Sequence, residues 1–529
     1  MKEVLEKLIT QAIGQKADFD LTAPDKSDFG DYATNVAFVL SKADGRSPLS
    51  IAQELVEKIK STDNGKVINK AEAVAPGFIN FWLNPEILLQ ELADILDQKN
   101  KYGRFKTATP QKIQVEFVSA NPTGPLTMAN GRGGFLGATL ANVLEAAGNK
   151  VVREFYINDA GNQVKLLGES VLAIIESTEL KDEYYKGDYI KKLADKFKNK
   201  AGRIKKTGGR IVADYLLRRH LKPSLKNAGI KFDNWFSEYR NLHKKGELQK
   251  VLEFLEDKGL AIEHDGATWL KTSDIADEKD RVLVKSDGSP TYFLADVAYH
   301  YDKFIKRKFD KVIDIWGADH HGYVARLKAG AKTIGADPEK LEIILVQLVR
   351  LMKDGQESRM SKRAGQFITL DELLNEVGKD AARFHFLMYA PETHMDFDLE
   401  LAKEKSLKNP VYYVQYAYVR ALGVLSKGSG SIANHAGLKE LSSDSELRLI
   451  KELIKWPDIL RQTTEDYQIN RLPRHAIDIS RAFHNFYEHE RVVCVDPAIM
   501  KARLALVSAT KIVLENVLNI LGVDLPKKM

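Results

Sequence analysis

Two stretches far apart in the chain carry residues suited to handling a polyphosphate. The first, "PTGPLTMANGRGG" at 122–134, crowds Pro and Gly at one end and three Gly and an Arg at the other. A glycine-rich turn between a strand and a helix presents backbone N–H groups and the positive end of the helix, which together bind phosphate. Glycine turns also arise for steric reasons alone. The centre, Thr127-Met128-Ala129-Asn130, holds no residue that readily carries a proton or a charge. The second stretch, "DGQESRMSKRAGQFITLDELL" at 354–374, places Arg359, Lys362 and Arg363 close together, followed by Gly365. A loop with such cations can cover a polyphosphate and neutralise charge that builds on departing pyrophosphate. A solvated basic loop is the plainer alternative. A helix is expected to begin near Thr369, with Asp371 and Glu372 in its first turn.

The elements around the first stretch fit that chemistry. "KIQVEFVS" is a short β-rich run, "FLGATLANVLEAAG" reads as a helix ending at Gly148, and "KVVREFYIN" is another strand. Strand, glycine turn, helix and strand make a βαβ unit of a parallel nucleotide-binding sheet. Sheet-like segments resume with "RVLVKSDGSPTYFL", "KVIDIWGADHH" and "LEIILVQLV". The expected fold class is α/β, a Rossmann-type parallel-sheet domain over 106–385. It follows a small α+β N-terminal domain (1–105) and precedes an all-α C-terminal bundle (386–529). A helical, basic insertion is expected near 165–260.

Composition narrows the function classes. With 529 residues the chain is too long for one core. No apolar run reaches the length of a membrane span, and the amphipathic start "MKEVLEKLITQAIGQ" is unlike a secretory signal. A single cysteine, Cys494, excludes internal disulfides and multi-cysteine zinc sites and fits a reducing cytoplasm. It is expected to be a buried small apolar residue. The net charge of +6 says little, but Lys186–Arg210 holds ten basic residues and two acidic ones. That stretch is either a solvated helix face or a phosphate-tracking surface.

"RMSKR" resembles the KMSKS signature of class I aminoacyl-tRNA synthetases, and "PLTMANGRGG" occupies the place of their HIGH signature. The wider resemblance is to the arginyl-tRNA synthetase family. It is carried by "VEFVSANPTGPL", "REFYINDAGNQ", "FDNWFSE", "DRVLVKSDGSPTYFLADVAYH", "WGADHHGYVARLKA", "NPVYYVQYA", "FGDYATNVAF" and the ending "LGVDLPKKM", in order along nearly the whole chain.

The resemblance implies a two-step reaction. ATP and L-arginine give arginyl-adenylate and pyrophosphate, and the arginyl group then passes to the terminal ribose of tRNA. A planar guanidinium with five donors calls for carboxylates. The implied arginine pocket is Glu116, Asn121, Tyr292, Asp296 and Asp319. Asp296, Tyr292 and Glu116 go to the guanidinium and Asn121 to the α-amino or carboxylate end. The implied ATP site is Pro122, Gly124, Thr127, Asn130, Gly131, His320, Met360, Ser361 and Lys362, with Lys362, Asn130 and Thr127 catalytic. His320 and His321 stand beside the pocket either as substrate neighbours or as a buried structural pair. Mg²⁺ arrives with ATP, and no tightly bound metal is expected. The signature's two histidines are replaced by Thr127 and Asn130, which donate hydrogen bonds without charge.

For tRNA, the resemblance implies Phe29, Tyr32 and Asn35 in the N-terminal domain, and Gln415, Tyr416, Arg420 and Met529 in the bundle. Tyr416 and Arg420 are four apart on one helix face and suit unstacked bases. A cytoplasmic monomer without membrane association is expected. Two other readings stay open: a catalytically weak tRNA-binding paralogue, and a class I synthetase for another amino acid.

Overall fold

The computed structural model describes residues 1–24, 27–273, 275, 277–353, 356–358, 368–428 and 435–529. Arg359, Met360, Ser361, Lys362, Arg363 and Gly365 lie outside these described residues.

The N-terminal segment starts with α1 (Lys2–Ile13), which buries Leu5 and Ile9 on one face and ends at Gly14 in the left-handed conformation. β1 (Leu21–Thr22), β2 (Tyr32–Thr34), α2 (Val36–Asp44), α3 (Pro48–Asp63), β3 (Ile68–Val74) and β4 (Phe78–Leu83) follow. The four strands form an antiparallel sheet in the order β1-β2-β4-β3. α4 (Pro85–Gln98) then leads towards the second sheet.

That sheet begins with β5 (Lys112–Glu116), α5 (Met128–Ala146) and β6 (Lys150–Ile157), the βαβ unit expected from the sequence. α5 lies so close to the end of β5 that a Cβ on Gly137 would meet the Phe117 ring at 2.2 Å, so only glycine fits. A helical excursion follows: α6 (Asn162–Ile175), α7 (Asp188–Phe197), α8 (Ala201–Thr207), α9 (Arg210–Leu216) and α10 (Lys222–Asn227). The chain then re-enters the sheet as β7 (Asn234–Ser237), paired in parallel with β6. The stretch expected as one helical insertion, 165–260, is therefore interrupted by a strand of the central sheet. β7 is too short and aromatic-rich for its pattern to stand out from the helices around it.

After α11 (Glu247–Asp257), β8 (Ala261–His264), β9 (Ala267–Leu270) and β10 (Arg281–Val284) form a separate three-stranded antiparallel sheet. "TYFLADVAYH", expected as sheet-like at its start, is instead helical: α12 (Tyr292–Tyr301), with the Thr291 side chain accepting from Leu294 N at its N-cap. β11 (Lys311–Gly317), α13 (Val324–Thr333) and β12 (Leu341–Val346) complete the main sheet. All four of its pairings are parallel, in the order β12-β11-β5-β6-β7. The chain moves outward from β5 to one side and later returns to the other. The β5–β11 boundary is therefore the topological switch point, where open parallel sheets bind ligands at the strands' C-terminal ends.

β13 (Val349–Lys353), β14 (Gln356–Ser358), α14 (Leu370–Val377), α15 (Lys379–Leu387), β15 (Met395–Asp398) and α16 (Leu399–Lys403) link this domain to the bundle. β13 pairs antiparallel with β14 and parallel with β15. The bundle is α17 (Pro410–Lys427), α18 (Asp444–Leu453), α19 (Trp456–Asp466), α20 (Arg471–His489) and α21 (Pro497–Leu521). Among the described residues α21 is the one helix long and apolar enough to cross a membrane. It is the bundle's central helix, with 72% of its most apolar window buried. Cys494 lies in the turn before α21, half-exposed and donating weakly to Asp496 O rather than buried in a core. The N-terminal segment docks on the bundle through Trp456, whose indole donates to Tyr102 O at 3.2 Å, and through Asn516, which donates to Lys99 O at 3.0 Å.

Candidate active site at the parallel-sheet switch point

The turn after β5 runs under tension into α5. Val118 (φ 67°) and Ser119 (φ 36°) both adopt the left-handed region, which is costly for a β-branched residue. Ser119 Oγ donates to Glu116 Oε1 at 2.9 Å and accepts from Tyr156 N at 3.1 Å, which holds the turn in place. Pro122 and Gly124 are buried, and the Tyr189 hydroxyl of α7 donates to Thr123 O at 3.1 Å.

Thr127 and Asn130 meet in a capping box at the start of α5. Asn130 N donates to Thr127 Oγ1 at 3.4 Å, and Asn130 Oδ1 accepts from both Thr127 N (2.9 Å) and Thr127 Oγ1 (3.0 Å). The Thr127 side chain, expected to be catalytic, is thus spent on the helix cap. The amide nitrogen of Asn130 takes no part in that cap. Gly131 is buried against Leu370. The same turn pairs with the residues just before α14: Met128 N donates to Ile368 O (3.2 Å) and Leu370 N to Leu126 O (2.8 Å). Of the stretch 354–374, residues 368–370 therefore pack against the turn that opens α5.

Acidic residues gather beside this turn. Glu116, at the end of β5, is buried and accepts from Lys303 Nζ at 2.8 Å, and Lys303 also donates to Asp314 at 2.8 Å. Burial raises the Glu116 carboxyl while Lys303 opposes the shift. Burial works to raise Asp314 as well, but Lys303 and His300 overcome it and hold it below its ordinary range. Glu116 thus already has a cation, 187 residues away in sequence. Its carboxylate, expected to meet the guanidinium, is here bonded to Lys303 and to the Ser119 hydroxyl.

Among the described residues no cationic side chain is bonded to the Asp296 carboxylate of α12. Its Oδ2 accepts from the Tyr323 hydroxyl at 2.5 Å. Burial pushes its carboxyl up to about 6, opposed by the Tyr323 bond and by His300 and assisted by repulsion from Glu238 and Glu116. Glu238, just after β7, is 3% exposed and bonded to His243 at 2.9 Å. Asn158, with its amide oriented to satisfy both ends, donates to Glu238 at 3.1 Å. Burial, then Glu238 and Asp296, push the Tyr156 phenol between them well above its ordinary range. Glu238 is the residue sequence reading missed. "FDNWFSE" carried the resemblance, but nothing local shows that the charge of its last residue bears on Asp296.

Tyr292 is half-exposed at the mouth, its hydroxyl 2.9 Å from where a Cβ on Gly161 (φ 82°) would stand, so that turn tolerates only glycine. Asn121 Nδ2 donates to Gln163 Oε1 at 2.6 Å. Asp319, His320 and His321 lie on an exposed turn after β11. Asp319 faces His320 at 3.7 Å, and the His320 ring is 5.9 Å from Trp316. The two histidines do not form a buried pair. Among the described residues no group of three or more His, Cys, Asp or Glu is arranged to hold a metal ion.

The residues expected to meet tRNA divide into free and engaged. Phe29 is 47% exposed, whereas Tyr32 is buried in β2 with its hydroxyl donating to Asp458 at 3.3 Å. Tyr32 therefore offers no stacking face; it fastens the N-terminal sheet to α19. Asn35 Nδ2 donates to Asp20 at 2.8 Å, and Asn35 Oδ1 accepts from Asp20 N. Gln415 donates to Asp380 and to Asp524 O, both at 3.0 Å, and so anchors the C-terminal segment rather than standing free. Tyr416, Arg420, His484 and Tyr487 form one half-exposed aromatic and cationic platform across α17 and α20, with Arg420 about 5 Å from both tyrosine rings. Met529 is exposed.

Comparison with known proteins agrees with this architecture. Residues 1–83 match the arginyl tRNA synthetase N terminal domain, 91–385 the catalytic domain of "tRNA synthetases class I (R)", and 414–529 the DALR anticodon binding domain. The arginine–tRNA ligase of Ruminiclostridium cellulolyticum is 42% identical over 97% of this chain and 94% of its own. That of Carboxydothermus hydrogenoformans is 43% identical over the same shares. The solved Thermus thermophilus arginyl-tRNA synthetase shares the fold over the whole of both chains, with a TM-score of 0.82 at 21% identity. An ATP-using class I catalytic domain, flanked by the two modules that accompany it in these relatives, places this chain in the arginyl-tRNA synthetase family.

Proposed function

We propose that this protein, a cytoplasmic monomer, activates L-arginine with MgATP and transfers the arginyl group to the 3′ end of its tRNA. The observation that carries the arginine assignment is the excess of buried carboxylate at the switch point. Lys303 is taken up by Glu116 and Asp314, Glu238 meets His243, and the Asp296 carboxyl is held high by its burial. A permanently charged guanidinium relieves it, whereas neutral analogues leave carboxylates buried and unpaired.

Asp296 and Glu238 take the guanidinium, with Tyr292 closing the mouth. Asn121 orients the α-amino or carboxylate end, and Asp319 flanks it. The arginine carboxylate oxygen then attacks the α-phosphorus as the bond to pyrophosphate breaks. Backbone N–H groups of the 127–131 turn and the Asn130 amide nitrogen support the phosphates, with Pro122, Gly124 and His320 lining the ATP site. Lys362, with Met360 and Ser361 beside it, offsets the charge on departing pyrophosphate. In the second step a terminal ribose hydroxyl attacks the arginyl carbonyl and AMP leaves. Phosphate contacts from the exposed lysines of 186–210, and stacking on Phe29, Tyr416 and Arg420, hold the tRNA. Met529 is assigned to the tRNA as well.

The capping box at Thr127 and Asn130 favours a second reading, tRNA binding with feeble activation. One experiment separates them: incubation with ATP, radiolabelled arginine and total tRNA. Labelled arginyl-tRNA at multiple turnovers supports the ligase; tRNA retention on filters without charging supports the second reading.

A further inference from the structure

Arg132 opens the second turn of α5, one residue beyond Gly131, and is only 2% exposed. Its guanidinium bonds to no carboxylate. It donates to four backbone carbonyls: Gln347 O (2.8 Å), Leu348 O (3.5 Å), Ala390 O (2.9 Å) and Thr393 O (2.8 Å). Burial without a paired anion lowers its pKa to about 10.

The acceptors come from two segments of consequence. Residues 347–348 are the step from β12 into β13, the strand that turns back as β14 and precedes 359–367 in sequence. Residues 390–393 form the turn before β15, which pairs with β13. Gln347 N also donates to Pro391 O at 2.9 Å, so the two segments are tied to each other. On the far side of 359–367, Ile368 and Leu370 return to Leu126 and Met128. Residues 368–370 thus pack on the turn at the start of α5.

We infer that Arg132 is a positioning residue for adenylate formation, fixing the β13–β14 ribbon at a set distance from the phosphate-binding turn of α5. The inference rests on the reading of 122–131 and Lys362 as the ATP-handling groups. Four carbonyls from two segments match a planar fork with five donors; a lysine offers three donors from a single point. A buried charge held by carbonyls alone is a poor way to gain stability, because an apolar side chain of similar volume fills the same space without desolvation. Its value lies in the geometry it imposes.

The test uses full-length Arg132→Lys in three measurements: ATP–pyrophosphate exchange with tRNA present, transfer from synthetic arginyl-adenylate to tRNA, and thermal unfolding. A displacement of about 1 Å at the phosphates slows the reaction by about 10²-fold. Expected is that loss in kcat for exchange, with the KM for arginine and the transfer step each within about twofold. Equal loss in exchange and transfer, tracking the folded fraction, overturns the inference, as does no loss in either. Pro391→Gly keeps the arginine and loosens two of its acceptors, so it gives the same split at smaller size; if Arg132→Lys does not fold, this variant decides. Asn130→Ala is run alongside. Silence there with a selective exchange defect in Arg132→Lys removes the ATP role of Asn130 and leaves the positioning role intact.

Discussion

Replacing Asp296 by asparagine should move stability and activity in opposite directions. The side chain keeps its shape and can still accept from the Tyr323 hydroxyl, which now stands 2.5 Å from Oδ2. In the free enzyme the carboxyl lies at about 6 against an ordinary 3.8, chiefly because it is buried. A raised carboxylate favours the protonated form in the fold, so its ionised form penalises folding above pH 6. The penalty fades as pH falls from 6 towards 4 and is absent below that. At roughly 1.4 kcal/mol per unit, the ionised group costs about 3 kcal/mol at pH 7.5. Asp296→Asn removes that cost, so the substrate-free variant should resist urea better than the parent at pH 7.5 and about equally at pH 3.5. Arginine binding should suffer, because losing the charged partner of a buried guanidinium costs about 2–5 kcal/mol. That is roughly a 30- to 4000-fold fall in kcat/KM for arginine. The assays are urea unfolding at the two pH values and charging kinetics at varied arginine. A kcat/KM within threefold of the parent refutes the guanidinium role. Loss of both stability and activity makes Asp296 a structural anchor instead.

Other outcomes follow from the same geometry. Lys362→Ala should lower adenylate formation by about 10²–10³-fold, the scale of one oriented donor to a charged transition state, with the KM for arginine unchanged; an unchanged rate in pyrophosphate exchange refutes its role. Asn130→Ala should slow adenylate formation about 10²-fold and lower unfolding stability by about 1 kcal/mol through loss of the cap; a stability loss with full activity makes Asn130 structural only. Tyr416→Ala should raise the KM for tRNA at least fivefold, since a stacked base is worth about 1–3 kcal/mol, with no change in tRNA-saturated kcat; an unchanged KM refutes the platform.

The parts of this fold legible in the sequence are those with local causes. The β5–α5–β6 unit follows from a β-rich run, a glycine turn and a helical period within one short stretch, and the helix after Thr369 from its cap and acidic first turn. The illegible parts depend on partners far along the chain. Lys303 sits between Glu116 and Asp314 because β5 and β11 are neighbours in the sheet, a pairing that nothing near Glu116 announces. Tyr32 resembles an exposed aromatic until Asp458 of α19 takes its hydroxyl. The Thr127–Asn130 capping box lacks the usual Glu or Gln at its fourth position, so its helix-start signal is weak.

The parallel pairing of β13 with β15 crosses the boundary drawn from sequence at 385/386. A catalytic fragment cut there would keep β13 and lose the strand that covers one of its edges. It would also lose two of the four carbonyls that satisfy Arg132. Such a fragment would expose an open strand edge beside an unsatisfied buried charge, a template for pairing with further copies. The two modules are thus tied by backbone pairing, and a fragment ending at Asp398 keeps that strand.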